Sequence, residues 1–324
     1  FPKINKIKQL YGLSYIENKE FIKNPPQKII NDLDKISPYD YSIFEDQVFF
    51  RPYNGKVLRG IDYELSRGCI YTCGYCVETV IQKYYGFNKK NKRGTLLSAK
   101  SYLRNKSAKV IFNEIKNLNK NFSIELFRCQ DTNFLTIDHK VLKELAEYVE
   151  NSNLKIKLYI ETRAEGINEK TIEFLKKLKV DGVGMGLELS SDAFRETSLN
   201  RFVDSEKIIK AFQLLKKNNI NTTAYNIIGL PDQTEESIID TIKFNQRINP
   251  NVSSVAYYSA YEGTDLKDKS KSLFEKNPEG MDAQIRGKMQ NHKIDMETLD
   301  FYKSNFNTLV ANTKLDINEF KKDG

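Results

Sequence analysis

From about Leu58 the chain alternates short β-type runs with amphipathic helical runs, and no other feature constrains its fold as strongly. Ile61–Leu65 reads as a first strand and Ile124–Arg128 as a second. Leu154, Ile156, Leu158 and Ile160 alternate strictly with other residues, which puts them on one face of a third strand. Val183–Leu187, interrupted by glycine, Thr222–Ile228 and Val252–Tyr258 read as strands four to six. Between them apolar residues recur at helical spacing. The helices predicted this way run over 107–119 (Val110, Ile111, Ile115, Leu118), over 138–150 (Val141, Leu142, Leu145, Val149), around Ile172, Leu175 and Leu178, and over 204–218 (Ile208, Phe212, Leu215). Thr234 caps a further helix whose first turn carries Glu235 and Glu236. Repeated βα units imply a parallel sheet with right-handed crossovers. Six units are too few for an eight-stranded barrel. The expected fold is therefore α/β: a partial (β/α)6 TIM-like barrel with a parallel sheet, an N-terminal linker segment and a C-terminal helical extension. The expected divisions are 1–57, where Pro25-Pro26 and Pro38 break regular structure around a short strand in Val48–Pro52; 58–266, the barrel; and 267–324, a lid or side layer over its open flank.

Three of the four cysteines, Cys69, Cys73 and Cys76, fall within Arg67–Glu78 in CxxxCxxC spacing, just past the first strand. Functional groups in such folds collect at the carboxyl ends of strands. Clustered thiolates favour iron–sulfur clusters and zinc. A structural zinc site wants four ligands. The other candidates are Cys129, His139 and His292, none of them in paired spacing. Three thiolates on a four-iron cube leave one iron open to a small molecule. Zinc and unligated core cysteines stand as the alternatives.

With only four cysteines in 324 residues the chain is no disulfide scaffold, and a reducing, cytoplasmic setting is expected. No apolar run approaches the roughly 18 residues of a membrane span. Phe1-Pro2-Lys3-Ile4-Asn5-Lys6 lacks a signal peptide's apolar core, and the absent initiator methionine fits a fragment of a longer protein. The net charge of +8 comes from lysines spread along the chain. The densest cluster, Lys89-Lys90-Asn91-Lys92-Arg93, reads as a solvated loop or as a contact for an anionic substrate or RNA.

CxxxCxxC with Tyr75 before the third cysteine resembles the radical SAM superfamily. The resemblance implies that Cys69, Cys73 and Cys76 hold a 4Fe–4S cluster. Its fourth iron would chelate the amino and carboxylate groups of S-adenosylmethionine, and one electron would cleave a carbon–sulfur bond to yield a 5'-deoxyadenosyl radical. Further segments match in order. Cys129-Gln130-Asp131 stands where the family often has Gly-Gly-Glu, which implies Asp131 on the ammonium. The bland alternative for Asp131 is a helix cap. Cys129 is either a small buried apolar residue or a catalytic, substrate-facing thiol. Glu161-Thr162-Arg163-Ala164 is similar to Thr-Arg-Ala segments of cobalamin-dependent and methylthiotransferase-like members, which implies a cofactor-facing Arg163; an ion pair with Glu161 or Glu165 is the alternative. Gly184–Ser190 resembles Gly-Ile-Glu-Ser, with Glu188 on ribose hydroxyls and Gly186 allowing close approach. In Asn226–Pro231, Ile227 and Gly229 would line the adenine, with Tyr75 packed over it. Asn200-Arg201 and Tyr261-Glu262-Gly263-Thr264 add looser matches, and the resemblance covers roughly 58–266.

The most similar subgroup is the cobalamin-dependent one, because Asn24–Asp34 and Pro38-Tyr39-Asp40-Tyr41 are similar to its interdomain linker. Cobalamin would then bind through a domain outside this chain. The expected function is reductive cleavage of S-adenosylmethionine and hydrogen abstraction from an unidentified small-molecule or lipid-like substrate, with C-methylation where cobalamin takes part. The expected partner is an electron donor such as flavodoxin or ferredoxin, and no nucleic acid. The alternatives are a tRNA methylthiotransferase-like enzyme and a non-enzymatic binding protein stabilised by zinc or a cluster.

Overall fold

A computed structural model describes residues 8–270 and 293–323 of the chain. His292 and the first six residues, weighed above, lie outside the described residues. Strands β1 (Ser14–Glu17) and β2 (Glu20–Lys23) form an antiparallel hairpin ahead of the barrel. There follow β3 (Phe50–Tyr53), β4 (Lys56–Tyr63) and β5 (Ser66–Arg67), helices α1 (Glu78–Tyr84) and α2 (Ala99–Tyr102), and β6 (Arg104–Asn105), which pairs back to β5. The repeating part then runs α3 (Ala108–Phe122), β7 (Leu126–Cys129), α4 (His139–Glu150), β8 (Lys157–Thr162), α5 (Glu169–Lys177), β9 (Val180–Glu188), α6 (Asp192–Thr197), α7 (Ser205–Lys217), β10 (Asn221–Ile228), α8 (Glu235–Ile248) and β11 (Val252–Tyr257). It closes with α9 (Asp265–Lys269), α10 (Met296–Ala311) and α11 (Ile317–Asp323).

The main sheet is ordered β3-β4-β7-β8-β9-β10-β11. Its six parallel strands are the six read from the sequence, and together with their helices they make the expected partial barrel. The seventh strand, β3, is the short run near Val48–Pro52, and it pairs antiparallel to β4 at the edge, Phe50 opposite Arg59. Strand three starts later than its apolar alternation predicts. Leu154 precedes the ladder, which begins where Lys157 meets Leu126.

Local chemistry explains most boundaries. The Ser107 side chain accepts from the Val110 N–H to start α3, Asn168 and Thr171 form a capping box on α5, and Thr234 caps α8. The inward faces of these helices bury Ile111, Ile115, Leu142, Leu145 and Leu215 against Phe127, Leu158, Ile160 and Val183. Strand β9 alternates such core residues with glycines. A Cβ on Gly184 would lie 2.6 Å from the Tyr225 ring and 2.7 Å from the Tyr159 hydroxyl, so the bare backbone leaves room for tyrosines of the flanking strands. At the far edge α10 buries Leu299, Tyr302, Phe306 and Leu309 against Ile228, Ile242 and Val255, forming a side layer on the last strands.

Candidate active site

The three clustered cysteines occupy the loop between β5 and α1, past the carboxyl end of β4. The inner face of α1 holds that loop. Cys69 N–H donates to Glu78 Oε1 (3.1 Å), which also accepts from the Tyr102 hydroxyl (2.7 Å). Gln82 Nε2 donates to the carbonyls of Cys69 (2.8 Å) and Tyr71 (2.9 Å). The β9–α7 connection supplies a second support. Gly74 N–H donates to the Leu199 carbonyl (2.8 Å), and Asn200 Nδ2 donates to the Thr72 carbonyl (2.6 Å). Gly68 sits at φ +95°, with a Cβ position 2.8 Å from the Tyr102 carbonyl oxygen, so no other residue fits without a shift.

Cys69 and Cys73 are buried and Cys76 is half-buried; all three thiols are free. Burial pushes the Cys69 and Cys76 thiols up to about 12, and the neighbouring sulfurs push in the same direction. Among the described residues, no three His, Cys, Asp or Glu side chains are already gathered around one point. Arg163, from the end of β8, reaches the loop: its Nη1 donates to Cys73 Sγ at 3.2 Å, and its Cζ lies 3.7 Å from the Tyr71 ring centroid. The same guanidinium pairs with Glu165, not Glu161. The ion-pair alternative for Arg163 is thus found with Glu165, and the same side chain also reaches the cysteine loop.

Glu188 ends β9 at φ 65°, a left-handed conformation that non-glycine residues rarely adopt. Its Oε1 accepts from the Tyr75 hydroxyl (2.8 Å) and lies 3.7 Å from Arg201 Nη1. Arg201 is buried and also donates to the Gly186 carbonyl (2.5 Å). A Cβ on Gly186 would overlap the Glu188 carboxylate. Tyr75 and Ile227 pack against one apolar cluster with Leu189, Leu199, Leu230 and Tyr258. Gly229, at φ +76°, turns its open side toward Leu299 of α10.

Asp131 is 1 % exposed. Its Oδ1 accepts from the N–H groups of Leu65 (3.2 Å) and Ser66 (2.6 Å) and from the Ser66 hydroxyl (2.5 Å). Burial pushes its carboxyl up to about 7 against the pull of those three bonds. Its Oδ2 has no partner among the described residues, nor have Glu165 Oε2 and Arg201 Nε, although all three are buried. Cys129 is also 1 % exposed but belongs to the main core; its nearest polar contact is the Phe127 carbonyl oxygen at 3.9 Å, and burial pushes its thiol well up. The loop thus gathers Tyr75, Arg163, Gly186, Glu188 and Ile227, with Asp131 at the β4–β5 junction.

Glu78 and Gln82 were not singled out from the sequence as supports, Asn200 was read only as part of a looser match, and Glu165 only as an alternative ion-pair partner of Arg163. Asn200 and Glu165 lie outside any periodic element. Glu78 and Gln82 did leave a trace: an i, i+4 polar pair in a helix whose other face is Val77, Ile81 and Tyr85, a pattern inverted relative to core-facing helices.

Residues 63–244 match the family model of the radical SAM superfamily. The chain is 27 % identical over 259 residues to the anaerobic magnesium-protoporphyrin IX monomethyl ester cyclase of Rubrivivax gelatinosus, covering 79 % of this chain and 42 % of that protein. It is 24 % identical over 264 residues to an uncharacterized methyltransferase of Pyrococcus horikoshii, covering 81 % and 52 %. The chain therefore spans about half the length of the curated relatives it matches. The solved structure of the cobalamin-dependent S-adenosylmethionine radical enzyme OxsB with aqua-cobalamin bound shares the fold, with a TM-score of 0.66 at 16 % identity over 98 % of this chain and 51 % of that one.

Proposed function

The chain belongs to the radical SAM superfamily, whose members bind a 4Fe–4S cluster and S-adenosylmethionine, and on that premise we propose that Cys69, Cys73 and Cys76 are its cluster ligands. The observation that carries this reading is the cysteine loop: three free thiols in one supported turn, with a guanidinium 3.2 Å from one sulfur. The donor set fits the group. Thiols that resist ionisation when empty gain a compensating positive charge from iron. When bound, the cluster and S-adenosylmethionine supply one-electron cleavage chemistry.

The chain's own residues bind and orient. Arg163 would hold Cys73 through its N–H···S contact and offset negative charge on the ligand sulfurs. Glu188, held by Tyr75 and Arg201, offers a carboxylate to a pair of ribose hydroxyls, and Gly186 makes room for that carboxylate. Tyr75 and Ile227 present an apolar wall to the adenine and exclude water. Gly229 keeps the turn after β10 tight. Asp131 directs its unpartnered Oδ2 to the ammonium, where a charge-assisted bond compensates the burial. Cys129 is assigned to the core beneath.

The outcome we propose is hydrogen abstraction from a small-molecule or lipid-like substrate at the mouth of the barrel, with methyl transfer to carbon where a cobalamin domain takes part. The methyltransferase name of the Pyrococcus horikoshii relative and the cobalamin-dependent name of OxsB support the methyl-transfer part of that choice. In this reading 58–266 is the catalytic barrel and 1–57 the joining segment, and of the expected extension 267–324 the described residues 293–323 supply the side layer. No helix among the described residues is long and apolar enough to cross a membrane. The test is anaerobic reconstitution, with iron and sulfide near about four per chain, and release of 5'-deoxyadenosine under dithionite. One bound zinc per chain and no 5'-deoxyadenosine would sink the reading.

A further inference from the structure

Helix α1 is built inside out. Its inner face is polar, with Glu78 and Gln82 holding the cysteine loop. Its outer face is apolar and, among the described residues, partly open to solvent: Val77, Ile81, Tyr84 and Tyr85 are 37–46 % exposed and stand at i, i+4, i+7 and i+8, a single stripe. That stripe starts one peptide bond from Cys76, the least buried of the three clustered cysteines. The loop that follows α1 folds back beside it. Leu96 N–H donates to the Ile70 carbonyl (2.8 Å), Thr72 N–H to the Gly94 carbonyl (2.9 Å) and Phe87 N–H to the Gln82 carbonyl (2.8 Å). This loop exposes Leu97 and carries Lys89, Lys92 and Arg93 in solvent.

The charge here is one-sided. From Val77 to Arg104 there are seven lysines and arginines and one acidic residue, the buried Glu78. Only Lys83 and Lys90 find an acid from outside the segment among the described residues, both on Asp265 (2.7 and 3.4 Å). Lys23, from β2, sits 4.8 Å over the Tyr84 ring and adds charge at the rim.

We infer that this face docks an acidic, low-potential electron-carrier protein, which passes one electron at a time toward the Cys76 side of the cluster. The inference rests on the proposed function, which consumes an electron that no other described group of this chain can supply. An apolar centre with a basic rim is the complement of an acidic protein edge. A nucleic acid fits less well, because Val77 and Ile81 need an apolar counter-surface that a phosphate backbone does not offer. The step moves a single electron: the carrier is oxidised by one equivalent and the cluster reduced by one, with no bond made or broken.

The experiment uses the reconstituted full chain, a photoreduced acidic flavodoxin as the probe, and stopped-flow bleaching of the cluster's visible absorbance. Ile81→Glu and the double substitution Lys89→Glu with Lys92→Glu are compared with the unaltered chain. Both should slow reduction by flavodoxin about tenfold or more, and the double variant should lose the salt dependence of that rate. Reduction by dithionite, and 5'-deoxyadenosine release driven by it, should be unchanged in both. Unaltered flavodoxin rates in both variants overturn the docking face, as does equal slowing with dithionite. Salt-sensitive tRNA binding that the lysine substitutions abolish while flavodoxin rates persist overturns it in favour of nucleic acid. An unaltered chain whose cluster reduces but never releases 5'-deoxyadenosine fails the catalytic reading and leaves the docking rates to decide the face by themselves.

Discussion

The substitution Asp131→Asn separates what the empty site costs from what it offers a ligand. The carboxyl is displaced from 3.8 to about 7 by burial. At about 1.36 kcal/mol per unit, ionising it in the folded apoprotein costs about 4 kcal/mol. The sign follows from proton counting. Between those two values the folded state holds the proton that the unfolded state has released, so stability falls as pH rises. The penalty is absent below the unfolded value, roughly a third present at about pH 5, and complete above about pH 7. The amide of the variant would keep an acceptor for the Leu65 and Ser66 N–H groups but has no proton to lose. The stability difference between variant and wild type should therefore move by about 2.5 kcal/mol in the variant's favour between about pH 5 and pH 8. The assay is urea unfolding of the reduced apoprotein followed by far-UV circular dichroism, since the chain has no tryptophan. The same substitution should weaken S-adenosylmethionine binding about tenfold to a hundredfold by removing a charged acceptor. A difference that stays flat with pH, together with undiminished ligand affinity, would refute both the buried ionisation and the ammonium contact.

Gly186→Ala should weaken S-adenosylmethionine binding by about tenfold or more and also lower thermal stability, because the added methyl displaces the Glu188 carboxylate from Tyr75 and the buried Arg201; equilibrium dialysis reads the affinity, and unchanged affinity contradicts it. Arg163→Met removes the N–H···S contact to Cys73, so redox titration followed by EPR should show a more negative cluster potential; an unmoved potential would mean that the guanidinium serves only Glu165. Cys129→Ala should cost about 1–2 kcal/mol in urea unfolding for the small cavity left and leave turnover intact; lost turnover in a folded variant would return the thiol to the chemistry.

The six strands and their helices were legible because each is written in the spacing of near neighbours. Val183, Met185 and Leu187 face the core while the glycines between them do not, and that pattern needs no knowledge of the rest of the chain. The late start of strand β8 was not legible, since Leu154 fits the alternation and only the ladder with β7 ends the pairing at Lys157. The role of β3 was hidden for the same reason. A four-residue run says nothing of which edge it will find.

The cysteine spacing by itself determined that three thiols lie within eight residues, and the βα alternation determined that they would sit past the end of a strand. Only the tertiary structure decided what surrounds them. The partners of the loop come from far along the chain: Glu188 lies 113 residues from Tyr75, Asn200 lies 128 from Thr72, and Arg163 lies 90 from Cys73. Such contacts depend on how adjacent strands register and on which way each loop leaves the sheet. Those are properties of the assembled barrel, and short-range periodicity carries no trace of them.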